Sequence, residues 1–190
     1  MKESKALIII DVQKDFCPNG SRGVPSGDEV IGPLNRMLVH ARNKGWFIVA
    51  SRDWHTRDQF DDPARVHCIQ ETDGAKFHDG LKLPDDLTII SKGAIDGSPR
   101  HHSAFNGDNL SLDEYLKNSG IREIYLGGLA YNICVRATAL DALSKGYVTY
   151  VLDDASRTTD PVSLSSLRSE LEKSGAIVTT VTEVISGSSN

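Results

Sequence analysis

Three observations predict an α/β protein built on a doubly wound, mainly parallel six-stranded sheet with helices on both faces. Short apolar runs of strand length alternate with helix-periodic segments along nearly the whole chain. The first run, "KALIIID", is apolar without a break, the pattern of a strand buried on both faces. At 190 residues, 39% hydrophobic and 25% charged, the chain suffices for one sizeable core and is short for two. We therefore expect a single domain over residues 1–190.

The first strand ends at Asp11. From Asp28 to Lys44, Val30, Leu34, Met37, Leu38 and Ala41 recur at helical spacing until Gly45 stops the helix, with Pro33 shortening or kinking its start. "WFIVASR" is the second strand. The further strands are "LTIIS" (87–91), "EIYLGG" (123–128), "VTYVLDD" (148–154) and "AIVTTV" (176–181). "SLDE" at Ser111–Glu114 fits a capping box, and Asp160 before Pro161 fits an N-cap and first helical residue. Residues 53–86 have little periodicity and form an unusually long loop, a candidate functional excursion. A polar tail from about 186 to 190 is expected to fray.

The net charge of −5 and the scattered basic residues argue against nucleic-acid binding. No apolar run is long enough for a membrane span or a secretory leader, so we expect a cytoplasmic protein with no membrane partner. Its three cysteines include no closely spaced pair, so reduced thiols are expected.

Ligands of doubly wound sheets bind at the carboxyl ends of the strands. Asp11, Lys92 and Cys134 stand at or just beyond three such ends. Asn132 reads as an N-cap of the helix after "EIYLGG", whose buried side would include Ile133, Ala137 and Leu140. At that helix start the dipole favours thiolate over thiol, and a lysine adds to the effect, so Cys134 could be an activated nucleophile. The N–H groups of Ala130 and Cys134 could form an oxyanion hole, with Asp11 as general acid/base. Taken singly, each residue also has a plain explanation: a small buried thiol, a turn aspartate, a surface lysine. Their coincidence at strand ends points to chemistry.

A second constellation lies in the long loop. "RDWH" supplies Asp53 and His55, and "VHC" supplies His67. Alternate side chains of an extended segment share a face, so Asp53 and His55 could hold one ion together. Two imidazoles and a carboxylate suit one divalent metal: zinc, iron(II) or manganese. Cys68 is read as a packing residue, His101 and His102 as surface loop residues.

These stretches, "ALIIIDVQKDFCPNGS", "SRDWH", "HCIQETDGAKFHDGL", "ISKGAIDG", "HHSAF" and "GGLAYNICVRATALDALSKGYVTYVLDDASR", resemble the isochorismatase-like cysteine hydrolase superfamily and, within it, the nicotinamidase/pyrazinamidase family. The resemblance implies a Rossmann-like three-layer sandwich. It makes Asp11 the general acid/base, Lys92 its ion-paired support and Cys134 the nucleophile. It makes Asp53, His55 and His67 the ligands of a metal, zinc first, that anchors a pyridine nitrogen. It places Phe16, Ala130 and Tyr131 against the substrate, with a cis peptide before Ala130. The implied partner is a small amide, nicotinamide, and a homo-oligomer is compatible with the reading. The sequence departs from the family at Tyr131-Asn132, usually Thr-Asp, and at Ala64, where a tryptophan is common.

A second enzyme reading is another C–N hydrolase of the superfamily, acting on a ureido, carbamoyl or other amide. Relatives of that kind generally lack the "RDWH" and "VHC" motifs. A third reading, from a different class, is a non-catalytic metal-binding module that keeps the scaffold.

Overall fold

In a computed structural model, which describes residues 4–93 and 102–187, six strands form one parallel sheet. They are β1 (Lys5–Ile10), β2 (Phe47–Asp53), β3 (Thr88–Lys92), β4 (Glu123–Leu129), β5 (Val148–Arg157) and β6 (Ile177–Thr179). Their order is β3-β2-β1-β4-β5-β6, and every neighbouring pair is parallel. The order reverses between β1 and β4. That switch point is where two crossovers leave in opposite directions and open a crevice at the carboxyl ends.

The apolar run of β1 explains the layers. Ile8 and Ile10 face a core completed by α2 (Leu112–Asn118), α3 (Arg136–Ser144) and α4 (Leu164–Lys173). Leu7 and Ile9 face a second core completed by α1 (Ile31–Asn43) and α5 (Val181–Gly187). All four side chains are fully buried, each contributing about 1.5–3 kcal/mol over an exposed position. Pro33 is accommodated in the first turn of α1, where its missing N–H costs no helical bond.

Two terminal expectations need correction. The last strand stops at Thr179, and residues from Val181 onward form α5 rather than strand and tail. The cause is a capping box: Thr180 Oγ1 accepts from the Glu183 N–H at 3.2 Å and Glu183 Oε2 accepts from the Thr180 N–H at 2.8 Å. Residues 188–190 of the expected tail lie outside the described residues. β5 also runs three residues further than expected, to Arg157. No described helix is long and apolar enough to cross a membrane.

Gly128 fixes the approach of β4 to β1. It pairs with Ile10, has φ +138, and an added Cβ would run into the Ile10 carbonyl. Gly128→Ala should therefore destabilise by about 1–3 kcal/mol or more, from the backbone conformation alone. Urea unfolding measures this, and a wild-type midpoint would refute the packing argument.

Candidate active site

Lys92, the last residue of β3, is one of the largest fully buried side chains. Its Nζ lies 2.8 Å from Asp11 Oδ2, is bonded to Asp53 Oδ1, and reaches Cys134 Sγ at 3.8 Å. Asp11 follows β1 with φ 48, a left-handed residue that turns the chain while its N–H still bonds the Ser51 carbonyl at 3.1 Å. Ser51 Oγ donates to Asp11 Oδ1 at 2.7 Å. The expected trio is thus brought together by the ends of β1 and β3 and the turn after β4.

Burial works against the Lys92 charge, but Asp11, Asp53 and Cys134 outweigh it and hold its pKa well above the usual lysine range. Burial likewise pushes Asp53 up, but Lys92 and the two imidazoles hold it well below the usual carboxylate range. Asp11 goes the other way: burial and the Asp53 charge raise it beyond what Lys92 and Ser51 recover. The expected depression of the Cys134 pKa is not found. Burial pushes the thiol well above its usual range, Lys92 pulls it back, and Asp11 and Asp53 add to the rise.

The chain after β4 also differs from expectation. The Leu129–Ala130 peptide is cis, and Tyr131–Val135 form a wide π-helical turn before α3. That turn shifts the helix phase, so the most buried side is Cys134, Val135, Thr138, Ala139 and Ala142, while Ile133 and Leu140 pack against the core only partly buried and Ala137 is partly exposed. It also sends the Tyr131 ring into the core beside α2, α3 and α4, away from the cavity, which corrects its assignment as a substrate contact. Asn132 does not cap: its side chain donates to Thr159 Oγ1 at 2.8 Å and accepts from the Thr159 N–H at 3.1 Å, pinning the loop after β5.

Asp53, His55 and His67 converge next to this trio, with one ligand atom from each within 4.8 Å of the others. His55 Nε2 and His67 Nε2 lie 3.8 and 3.6 Å from Asp53 Oδ2. Ligand atoms around a tetrahedral ion at about 2.0–2.1 Å are themselves about 3.4 Å apart, so the spacing suits one ion. The other ring nitrogens, the Nδ1 atoms, meet the carbonyls of Gly93 at 3.0 Å and Arg65 at 2.6 Å, which directs Nε2 inward. Gly93, at φ +91, leaves the His55 ring its room, since a Cβ there would lie 2.5 Å from the ring. The donor set fits a divalent metal.

Cys134 and all three residues of the triad line a cavity of about 530 Å³, with Asp11 and Lys92 buried behind its wall. Phe16, Ala130 and Cys134 line it as expected positions, and Ala64 does not. Among the lining residues that the sequence reading did not place at the site are Phe60, His102 and Thr159. Phe60 packs edge-on against His55 and His67, with centroids 5.1 and 5.2 Å apart, and Phe16 lies 5.5 Å from His67. An aromatic five residues past the candidate ligand His55 was the available signal. His102, read as a surface residue, is half-buried in the wall, while His101 lies outside the described residues.

Residues 5–183 match the isochorismatase domain model. The chain belongs to the isochorismatase family. It is 32% identical over 205 residues to a nicotinamidase of Escherichia coli, covering 94% of each chain. Among solved structures, a pyrazinamidase of Pyrococcus horikoshii in complex with zinc matches at TM-score 0.85 and 36% identity, covering 94% of this chain and 99% of that one. PnC1 from L. infantum, in complex with nicotinate, matches at TM-score 0.80 and 30% identity, covering 95% of each. Within the isochorismatase family this chain is an amidohydrolase.

Lys92 pairs with both Asp11 and Asp53. Lys92→Met would leave two buried carboxylates without it and should cost about 3–5 kcal/mol at pH 7 in metal-free protein. Without Lys92 both carboxylates lose an influence that lowers them, so the folded variant takes up protons more readily than the wild type as pH falls, whereas the wild type's depressed Asp53 keeps its contribution down to the ordinary carboxylate range. The gap should therefore narrow from pH 7 to pH 5. Urea unfolding at the two pH values tests this, and a constant gap would contradict it.

Proposed function

We propose that the protein is a metal-dependent nicotinamidase, hydrolysing nicotinamide to nicotinic acid and ammonia for NAD salvage, and pyrazinamide by the same chemistry. The observation that carries this reading is that Cys134, with Asp11 and Lys92 buried behind it, and the Asp53–His55–His67 triad line one cavity. Zinc is the metal we favour, with iron or manganese as alternatives, held by Asp53, His55 and His67. When bound it would supply Lewis acidity, orienting the ring nitrogen and helping to activate water.

The side chains divide the remaining work. Phe16 and Phe60 offer aromatic surface to a flat ring. Cys134 Sγ attacks the carboxamide carbon, and its proton passes to Asp11, whose carboxylate lies with Sγ in one cluster whose ligand atoms are within 4.8 Å of one another. The N–H groups of Ala130 and Cys134 stabilise the oxyanion that forms. Asp11 then protonates the leaving nitrogen, the C–N bond breaks, and ammonia departs from a Cys134 thioester. Asp11 next takes a proton from water as it attacks the thioester, nicotinic acid leaves, and the proton returns to sulfur. Lys92 holds Asp11 in place throughout and offsets the negative charge on either partner.

Ammonia release from nicotinamide by metal-loaded protein tests the reading. We expect turnover that falls about a thousand-fold or more in Cys134→Ala and disappears on chelation, returning with zinc. Absence of turnover in protein with a filled metal site would eliminate nicotinamide as substrate. Phe60→Ala should raise KM for nicotinamide roughly 2- to 10-fold with a smaller change in kcat, reflecting the loss of one aromatic contact. An unchanged KM would remove Phe60 from the ring-binding wall.

A further inference from the structure

We infer that Gln13 and Asp15 are positioning residues for the Asp53–His55–His67 triad. The inference rests on reading that triad as a metal site and goes beyond it by assigning the side chains that hold its ligands in place.

The argument begins with a gap in the sheet. β1 pairs with β2 only as far as Ile10 opposite Ser51, followed by the Asp11 N–H on the Ser51 carbonyl. Asp53 lies two residues further along β2, and the chain after β1 has by then turned away. The Gln13 side chain supplies what the strand does not. Its Oε1 accepts from the Asp53 N–H at 2.8 Å, and its Nε2 donates to the Asp53 carbonyl at 2.8 Å. A third bond, from Nε2 to the Ala75 carbonyl at 2.8 Å, braces the amide from the far side. Gln13 is fully buried, so removing the amide would leave both backbone groups of a ligand residue unpaired.

Asp15 does the corresponding work for His67. Its Oδ2 accepts from the N–H of Cys68, the next residue, at 2.7 Å. The Asp15 N–H meanwhile donates to Gly74 at 3.0 Å and its carbonyl accepts from Arg22 at 2.9 Å. Residues 11, 13 and 15 of one short segment thus reach the trio, the first ligand and the neighbour of the third. The catalytic acid/base and the ligand cage are set by one piece of chain.

Cobalt(II) titration of the full-length metal-free protein, followed by its visible spectrum and by competition with a chelator, tests the assignment. Partners outside the ligand shell typically contribute about 10- to 100-fold in metal affinity. We expect Gln13→Met to lose affinity in that range and to show an altered cobalt spectrum. Gln13→Glu, which keeps the acceptor for the Asp53 N–H but not the donors, should fall between Gln13→Met and wild type. Asp15→Ala should weaken binding, and Asp15→Asn, which retains an acceptor for the Cys68 N–H, should recover most of it. Val12→Ala, a buried neighbour that bonds no ligand residue, controls for general destabilisation and should bind cobalt as wild type does. Wild-type affinity and spectrum in Gln13→Met, or an equal loss in Val12→Ala, would overturn the inference. If Gln13→Met does not fold, wild-type behaviour of Gln13→Glu would do so. A wild-type protein that binds no cobalt would overturn the metal reading itself, and this assignment with it.

Discussion

Everything at the carboxyl end of the sheet depends on the buried ammonium of Lys92. A charge with no exposed surface costs several kcal/mol to desolvate unless it is paired, and Lys92 is paired twice, to Asp11 and Asp53. The two carboxylates come from the ends of β1 and β2, and Lys92 itself from the end of β3. One interaction therefore fixes the relative height of three strands. Asp53 turns its other oxygen to His55 and His67, so its ion pair with Lys92 ties the trio to the triad and the two cannot be set independently. Substitutions at Asp53 report on both at once.

The topology explains why this junction has room. Between β1 and β4 the crossovers diverge, and the chain must turn sharply after each strand to leave the crevice open. After β1 the turn uses the left-handed Asp11. At the end of β4 it uses Gly128, the cis Leu129–Ala130 peptide and the π-helical turn. The reactive side chains sit at the turns, where the backbone departs from regular structure.

That also decides what could be read from the sequence. The layers followed from uninterrupted apolar runs and from helical spacing such as Leu34, Met37, Leu38 and Ala41, because burial is what those patterns record. Asp11, Lys92 and Cys134 were legible because strand ends are. The buried face of α3 was not, since the wide turn at Tyr131–Val135 rotates every later residue and leaves no mark in hydrophobic periodicity. The helix at Val181 was hidden by the β-branched run "VTTV", which reads as strand until the Thr180–Glu183 capping box is weighed against it. Phe60 and His102 reach the cavity from loops, where position is set by long-range contacts that no local pattern encodes.

The state of Cys134 shows how magnitudes decide between two sound local arguments. A helix N-terminus favours an anion by about 0.3–1 kcal/mol, up to about 2 when partly buried, or at most about 1.5 pKa units. Full burial shifts an ionisable group by as much as about 3–5 units in the opposite sense. At Cys134, burial is the largest influence, the adjacent carboxylates reinforce it, and Lys92 only partly offsets it. The resting side chain in the metal-free site is therefore a thiol. Asp11, itself raised by burial, is correspondingly a better proton acceptor than an ordinary carboxylate. In the proposed reaction Asp11 takes the thiol proton as the carbon–sulfur bond forms, so Cys134 need exist as an anion only while it reacts.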